Sequence, residues 1–371
     1  MQFQIKRDRL LKSLSIAHNI IERKNTIPIL ANVLLEVKNG VLNIVATDLD
    51  LIFKDQISEL KIEQEGSTTT SATVLYDLLR KLPSNLDITF DLQSENKLKI
   101  SAKNSKFNLL CLPVDNFPNF SENFETKPFN LDGKKFLSLL NKTKISMSND
   151  DTRHYLNGIF IHVTASNKKT YLTAVATDTH RLSSSSIPTE NIENFKPFIL
   201  PKKTVFQLSS LLQETNENIS LYVGETKIQF KIGNSIIISK IIDGKFPDYE
   251  KVVPKGNNKV LNVNVKDFIN SIERVITVSI DRKEGVKVTV DKDNIQLFVN
   301  SSSSGEGKEN LPASYNSESL TISFNAKYLL DIASEIEDEK LIMNLNDATS
   351  PVLIQDISDK QSYYVIMPMK I

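Results

Sequence analysis

Three stretches of the chain share one hydrophobic spacing. Phe3, Ile5, Leu10, Leu11 and Leu14 are matched at identical offsets by Phe129, Leu131, Phe136, Leu137 and Leu140, and again by Leu261, Val263, Phe268, Ile269 and Ile272. A second set follows in each copy: Leu75, Tyr76, Leu78 and Leu82; Val205, Phe206, Leu208 and Leu212; Leu329, Leu330, Ile332 and Ile336. Such a repeat predicts a domain built three times. At 371 residues each third holds roughly 125, enough to bury a core of its own. A triplicated domain without triplicated catalytic residues points to geometry, a surface that curves or encloses, more than to one reaction centre.

Each copy opens with period-two alternation and then switches to helical spacing. Paired strands follow: 29–37 with 41–47 around Asn39-Gly40, 156–163 with 170–177 around Ser166-Asn167-Lys168, and 286–290 with 295–299 around Asp291-Lys292-Asp293. Asn39-Gly40 is a strong hairpin signal. A second helix and more short strands complete each copy. Two strand ends also recur. Ala46-Thr47-Asp48 returns as Ala176-Thr177-Asp178, and Phe117-Pro118-Asn119-Phe120 returns as Phe246-Pro247-Asp248-Tyr249. Boundaries just after each Phe-Pro element give domains 1–127, 128–254 and 255–371. The third copy lacks that element and ends in Met367-Pro368-Met369-Lys370-Ile371, the first sign of a specialised surface.

Forty-five basic residues balance 45 acidic ones, so attraction to a polyanion has to come from local segregation of charge. A single cysteine, Cys111, excludes an intramolecular disulfide framework and fits a reducing cytoplasm. Residues 1–10 alternate and are charged, without the apolar core of a signal peptide, and no apolar run reaches the ~20 residues of a spanning helix. A soluble protein that is not exported is expected.

Catalytic motifs are weak. His18, His154, His162 and His180 have no metal-ligand spacing, and no metal or cofactor is expected. Asp48 and Asp178 admit a reading as the carboxylates of a nuclease or polymerase. Their recurrence at equivalent positions favours turn formers bonding their own backbone. The segment 301–308 is rich in Ser and Gly but lacks phosphate-loop spacing and reads as a mobile hairpin loop; the serines 183–186 fall in an expected strand. Basic residues gather on or beside the predicted helices: Arg7, Arg9, Lys12, Arg80, Lys81, Lys134, Lys135, Lys142, Lys144, Lys202, Lys203, Lys266, Arg274 and Lys327. If symmetric copies turn one helical face to a common axis, a neutral protein can hold a polyanion through diffuse phosphate contacts.

Five ordered motifs then resemble one family. Thr26-Ile27-Pro28-Ile29-Leu30, Tyr155-Leu156-Asn157-Gly158, Ala176-Thr177-Asp178-Thr179-His180-Arg181-Leu182, Asp243-Gly244-Lys245-Phe246-Pro247-Asp248-Tyr249 and Tyr364-Val365-Ile366-Met367-Pro368-Met369 resemble the bacterial sliding clamps, the β subunit of DNA polymerase III, over the whole chain. The resemblance implies an α+β fold of three tandem DNA-clamp domains, each with two helices packed on antiparallel sheets. It also implies a head-to-tail homodimer closing a six-domain ring around double-stranded DNA. The implied function is replication processivity without catalysis. The implied partners are the DNA polymerase III catalytic subunit, an ATP-dependent clamp loader and other proteins of replication and repair that carry a clamp-binding motif.

Carried over position by position, the partner-peptide pocket comprises Leu156, Thr177, Thr179, His180, Arg181, Leu182, Pro247, Lys251, Val252, Pro351, Val365, Met367, Pro368, Met369, Lys370 and Ile371. DNA-contacting positions are Lys24, Arg153, His154, Tyr155, Lys202 and Lys203; subunit-interface positions are Phe107, Leu109 and Val278. Thr179 stands where the family often has Gly, Lys251 where Arg is common, Pro351 where Ser is common, Lys370-Ile371 where Arg-Leu is frequent, and His154 where Tyr is frequent. Two other readings stay open on sequence: an enzyme acting through Asp48 and Asp178, and a peptide-binding scaffold that never encloses DNA. Three repeats alone also allow a ring of one chain or of two.

Overall fold

The computed structural model describes residues 1–21, 26–120, 124, 127–166, 168–189, 194–279 and 285–369. It divides into two compact units, Met1–Leu137 with Lys203–Ile241, and Ser138–Lys202 with Ile242–Ile371. Among the described residues lie six α-helices, two in each third of the chain: α1 (Arg7–Ile20), α2 (Ala72–Lys81), α3 (Gly133–Lys144), α4 (Lys202–Gln213), α5 (Val265–Val275) and α6 (Ala326–Ala333). Four of them, α2, α3, α5 and α6, start at short polar residues. Ser71, Asp132, Asn264 and Asn325 each accept a bond from a first-turn backbone N–H, of Val74, Lys135, Asp267 and Tyr328.

In the first unit, thirteen antiparallel strands form one sheet with α1 packed on Val41–Thr47, on Leu51–Ile57 and on α2. Here strand Leu51–Ile57 of the first third pairs with Ser235–Lys240 of the second, Ile52 lying opposite Ile238. The second unit has a twelve-stranded antiparallel sheet, with α5 on strands Asn294–Ser301 and Gly305–Tyr315 and on α6. Its matching seam pairs Arg181–Pro188 with Ser362–Ile366, Leu182 lying opposite Val365. The register is the same at both seams, so the repeat extends to how one copy joins the next.

The repeated apolar positions supply the cores. Leu10, Leu14, Phe136, Leu140, Phe268 and Ile272 are almost wholly buried, as are Leu75, Val205 and Leu329. Each such side chain contributes about 1.5–3 kcal/mol by leaving water. The second member of the later set departs from the pattern, since Phe206 is 45% exposed.

Strand starts also differ from the sequence reading. Pro28–Ala31 and Asp151–Leu156 are 3-10 turns, so the hairpins begin at Asn32 and Gly158. Pro28 fixes its own φ, and the Asp150 carboxylate receives the Thr152 amide; both hold the chain in a turn before the ladder starts. Asn39 and Gly40 take positive φ of 53° and 80°, as a tight hairpin requires. Asn167, in the second hairpin turn, lies outside the described residues.

The segment 301–308 is mostly strand rather than loop, since Ser301 pairs with Gly305 and Asn300 with Glu306. A Cβ at Gly307 would lie 2.9 Å from the carbonyl oxygen of Val275, so glycine there admits close approach of the end of α5. Serines 183–185 are buried in the seam strand, where Ser183 and Ser146 are bonded at 2.6 Å and Ser185 and Ser362 at 2.8 Å. No described helix is long and apolar enough to cross a membrane.

Candidate functional site

Beside the second unit's seam lies a groove of about 880 Å³ lined by residues of three strands and the loops beside them. Thr177, Thr179, Arg181 and Leu182 form one side, residues 247–255 the other, and Pro351, Val365 and Met367 complete it. Its size suits a few side chains of a peptide or a drug-sized molecule. Ten of the sixteen expected pocket residues therefore line one cavity. Leu156 lies beneath it, in a buried cluster with Leu182, Phe246, Tyr249 and Val365. His180 is exposed and its carbonyl accepts from Met367 N at 2.8 Å; the Met369 amide donates to Ser323 O at 2.7 Å. Pro368 is half-buried between them, while Lys370 and Ile371 lie outside the described residues.

The turn that opens the groove is built by its own side chains. Asp178 Oδ1 accepts from the amides of His180 and Arg181, both at 3.0 Å, and Thr177 Oγ1 accepts from Thr179 N at 3.1 Å. In the first copy Asp48 Oδ1 accepts from Asp50 and Leu51, and Thr47 Oγ1 from Leu49. Leu49 and Thr179 occupy the same left-handed conformation, φ 79° and 78°. Thr179 therefore holds a backbone geometry that favours glycine, and its hydroxyl accepts from Arg153 Nη1 at 3.1 Å. Both aspartates are spent on turns and on cations: Asp178 pairs with Arg181, and Asp48 with Lys203. This geometry describes turn formers rather than a metal-binding carboxylate pair.

Arg181 is buried yet paired with two carboxylates. Its guanidinium reaches Asp178 at 3.1 Å and Asp331 of α6 at 2.7 Å, and lies 4.1 Å from the centroid of the Tyr328 ring. A residue of the second copy is thus locked to a helix of the third, which fixes the backbone of Leu182 in the groove wall.

The opposite wall depends on Gly244. Its φ is 155°, and a Cβ there would sit 2.9 Å from Tyr155 Cβ. Gly244→Ala is expected to strain this turn by about 1–3 kcal/mol and weaken ligand binding in the groove, read by paired melting and fluorescence titrations. Phe246, two residues on, stacks on Phe160 at 4.9 Å. Sequence reading missed Asp248, Tyr249, Glu250, Val253, Pro254 and Lys255, which also line the groove. The Phe-Pro repeat was the available signal, because a loop anchored at Phe246 exposes the residues that follow it.

The expected DNA-contacting positions are brought together in part. Arg153, His154 and Tyr155 share the 3-10 turn Asp151–Leu156, Arg153 paired with Asp150 at 2.8 Å and His154 Nε2 bonded to Asp243 O at 3.1 Å. Lys202 opens α4, its amide donating to Asn157 O at 3.0 Å and its ammonium to Asn149. Lys203 pairs with Asp48, and Lys24 lies outside the described residues. Two helix cations are structural instead of exposed: Arg7 donates to the carbonyls of Leu79 and Arg80 at the end of α2, and Lys142 is buried between Glu337 and Asp359.

Of the expected interface positions, Phe107 and Leu109 are half-buried on strand Ser105–Leu112, and Val278 is half-buried against the core of the second unit. Leu110, which the sequence reading passed over, is 84% exposed.

Models of the DNA polymerase III β subunit match the chain in order: the N-terminal domain at residues 1–121, the central domain at 130–248 and the C-terminal domain at 250–370. The beta sliding clamp of Caulobacter vibrioides is 35% identical and that of Escherichia coli 31%, each aligned over all of both chains. A crystal structure of the Bartonella birtlesii DnaN sliding clamp bound to griselimycin has a TM-score of 0.95 at 37% identity, covering all of both chains. The DNA polymerase III β subunit of Pseudomonas aeruginosa gives 0.90 at 30%, again over both whole chains. With all three domains matched in order and full-length relatives above 30% identity, the chain belongs to the DNA polymerase III β subunit family, the bacterial sliding clamps.

Proposed function

We propose that this chain is a cytoplasmic processivity factor whose three domains, 1–127, 128–254 and 255–371, close as a head-to-tail homodimer around double-stranded DNA. The groove beside Leu182, Val365 and Met367 then takes peptides from the polymerase catalytic subunit, the ATP-dependent clamp loader and other clamp-binding-motif proteins. The groove is the observation that carries the partner assignment: an apolar floor rimmed by polar side chains, at a seam the third copy's altered ending makes unlike the other. Arg153, His154, Tyr155, Lys202 and Lys203, with Lys24, are the proposed DNA contacts, and Phe107, Leu109 and Val278 the proposed interface.

Two sheet edges support the dimer. Ser105–Leu110 has ladder partners from Lys97–Ala102 on one side, while its other neighbour, Gly66–Ser71, pairs only at Cys111 and Leu112. Gly305–Pro312 pairs with Asn294–Ser301 on one side, and strand Lys259–Asn264 reaches only Ala313 to Tyr315 on the other. Among the described residues each therefore keeps an open edge of similar length, a template for strand addition. The first carries Lys106 and the exposed Leu110, the second Glu306, Lys308 and Glu309, so a head-to-tail pairing joins edges of opposite net charge.

The mechanism is topological. Enclosure keeps the polymerase beside its template at an effective concentration often in the millimolar range for short tethers, without tight DNA affinity that would stop sliding. A net charge of zero suits that arrangement. Clamp loaded onto nicked circular DNA is expected to persist through gel filtration and to be lost once the circle is cut. Equal loss from circular and linear DNA overturns the ring. Nucleotide incorporation or release that disappears in Asp178→Ala overturns the non-catalytic assignment.

A further inference from the structure

One aromatic column lies behind the groove. Phe246 stacks on Phe160 at 4.9 Å, Phe160 on His162 at 4.7 Å, and His162 meets the Tyr249 ring edge-on at 5.7 Å. His162 Nε2 and Tyr249 Oη are bonded at 3.0 Å. Phe160 and His162 alternate on one face of strand Gly158–Ser166, so the column begins and ends on the same loop and staples residues 246 and 249 to the sheet. Tyr249 then opens the turn Tyr249–Val252, which with Val253, Pro254 and Lys255 makes one groove wall. His162 itself does not line the groove.

The ring sits where a cation is costly. Burial among the aromatic rings pushes the imidazole below its ordinary range, partly offset by the Val163 backbone and by Glu250. Tyr249 is the titratable group in contact with it, and burial holds that phenol well above its usual range, protonated at any ordinary pH. Tyr363 of the seam strand, Glu250 and Asp248 act on Tyr249, with Asp248 itself paired to Lys251 at 2.9 Å. On the neighbouring strand, Thr173 lies opposite His162 and bonds to Thr164 and Ser186. A neutral imidazole can accept the Tyr249 hydroxyl proton. The imidazolium has only donors: keeping the contact then requires the phenol to turn and accept from Nε2–H, with a cation left among buried rings.

We propose that His162 is a positioning residue of the groove, its neutral ring holding the 247–255 wall closed for a partner peptide and its protonated form releasing that wall. The inference rests on the groove being the peptide site, and it assigns the site a sensitivity to acid. When only the neutral form is competent, apparent Kd scales inversely with its population. Affinity is then flat above neutrality and falls by about tenfold per pH unit below the imidazole pKa.

The test is a fluorescence anisotropy titration of the full-length clamp with a labelled clamp-binding peptide of the polymerase catalytic subunit, from pH 8 to pH 5, with circular dichroism confirming the fold at each pH. Wild type is expected to bind at pH 8 and weaken in acid, whereas His162→Gln, neutral throughout and able to bond Tyr249, binds at pH 8 and stays flat. A second measurement, NMR titration of the His162 ring with and without peptide, is expected to show a lower pKa in the complex. Binding at pH 8 with an equal acid loss in wild type and His162→Gln, or an unchanged ring pKa, overturns the inference and leaves the peptide site standing. Peptide binding at pH 8 that survives Leu182→Arg overturns the site itself.

Discussion

Removing residues 367–371 is expected to weaken the polymerase peptide by about 100-fold in a fluorescence titration while sedimentation still returns a dimer. Met367 and Met369 are 39% and 36% exposed, large apolar side chains held in the open. Their backbones are not free: Met367 N is tied to His180 O of the second copy and Met369 N to Ser323 O of the third. The ending is thus a fixed ledge carrying pliable, polarizable side chains, a composition suited to several related peptides. Losing two interfacial anchors at about 1.4 kcal/mol each gives the factor of 100. Neither open sheet edge includes a deleted residue, so the dimer is expected to persist. An unchanged peptide affinity removes the ending from the site.

How much of this was legible in the sequence depends on range. The repeat was legible because its apolar positions are set by helix and strand periods, and Leu10, Phe136 and Phe268 are equivalently buried. Asp48 and Asp178 were legible as turn formers because an Asx turn closes within three residues. The groove's Thr177 side and its Met367 edge were carried by motifs. Of its other wall only Pro247, Lys251 and Val252 were, because the rest of 248–255 is placed by the contacts of Phe246 and Tyr249 with Phe160 and His162, more than 80 residues away in the chain. Basic residues misled for the same reason. Spacing puts a lysine on a helix face, and only tertiary structure shows whether water or a carboxylate meets it. Arg7 closes the end of α2, and Lys142 lies inside the second unit.

Lys142 carries the largest expected stability effect. Its side chain is only 8% exposed and its ammonium lies 2.8 Å from both Asp359, itself mostly buried, and Glu337, which is exposed. Asp359 also accepts from the Ser362 hydroxyl at 2.6 Å, and Ser362 Oγ, its one proton so used, is bonded to the Ser185 hydroxyl at 2.8 Å, so the chain Lys142, Asp359, Ser362, Ser185 crosses the seam. Removing one member of such a pair leaves a buried charge alone. Lys142→Ala is therefore expected to cost about 3–5 kcal/mol in a denaturant titration, and Lys142→Met with Asp359→Leu to recover most of it. The pH dependence follows from both partners. Burial raises the Asp359 pKa, but Lys142, Ser362 and the Gln361 amide outweigh it and leave a net lowering, so its contribution is present above the unfolded value of 3.8 and lost as pH falls through the folded one. Burial likewise lowers that of Lys142, but Asp359 and Glu337 leave it raised, so its contribution is full below 10.5 and lost as pH rises through the folded value. Wild type minus Lys142→Ala is thus expected to be a plateau from about pH 4 to about pH 10, falling at both ends. A difference under about 1 kcal/mol at pH 7 makes the pair an ordinary surface contact and leaves the seam to its backbone ladder and apolar packing.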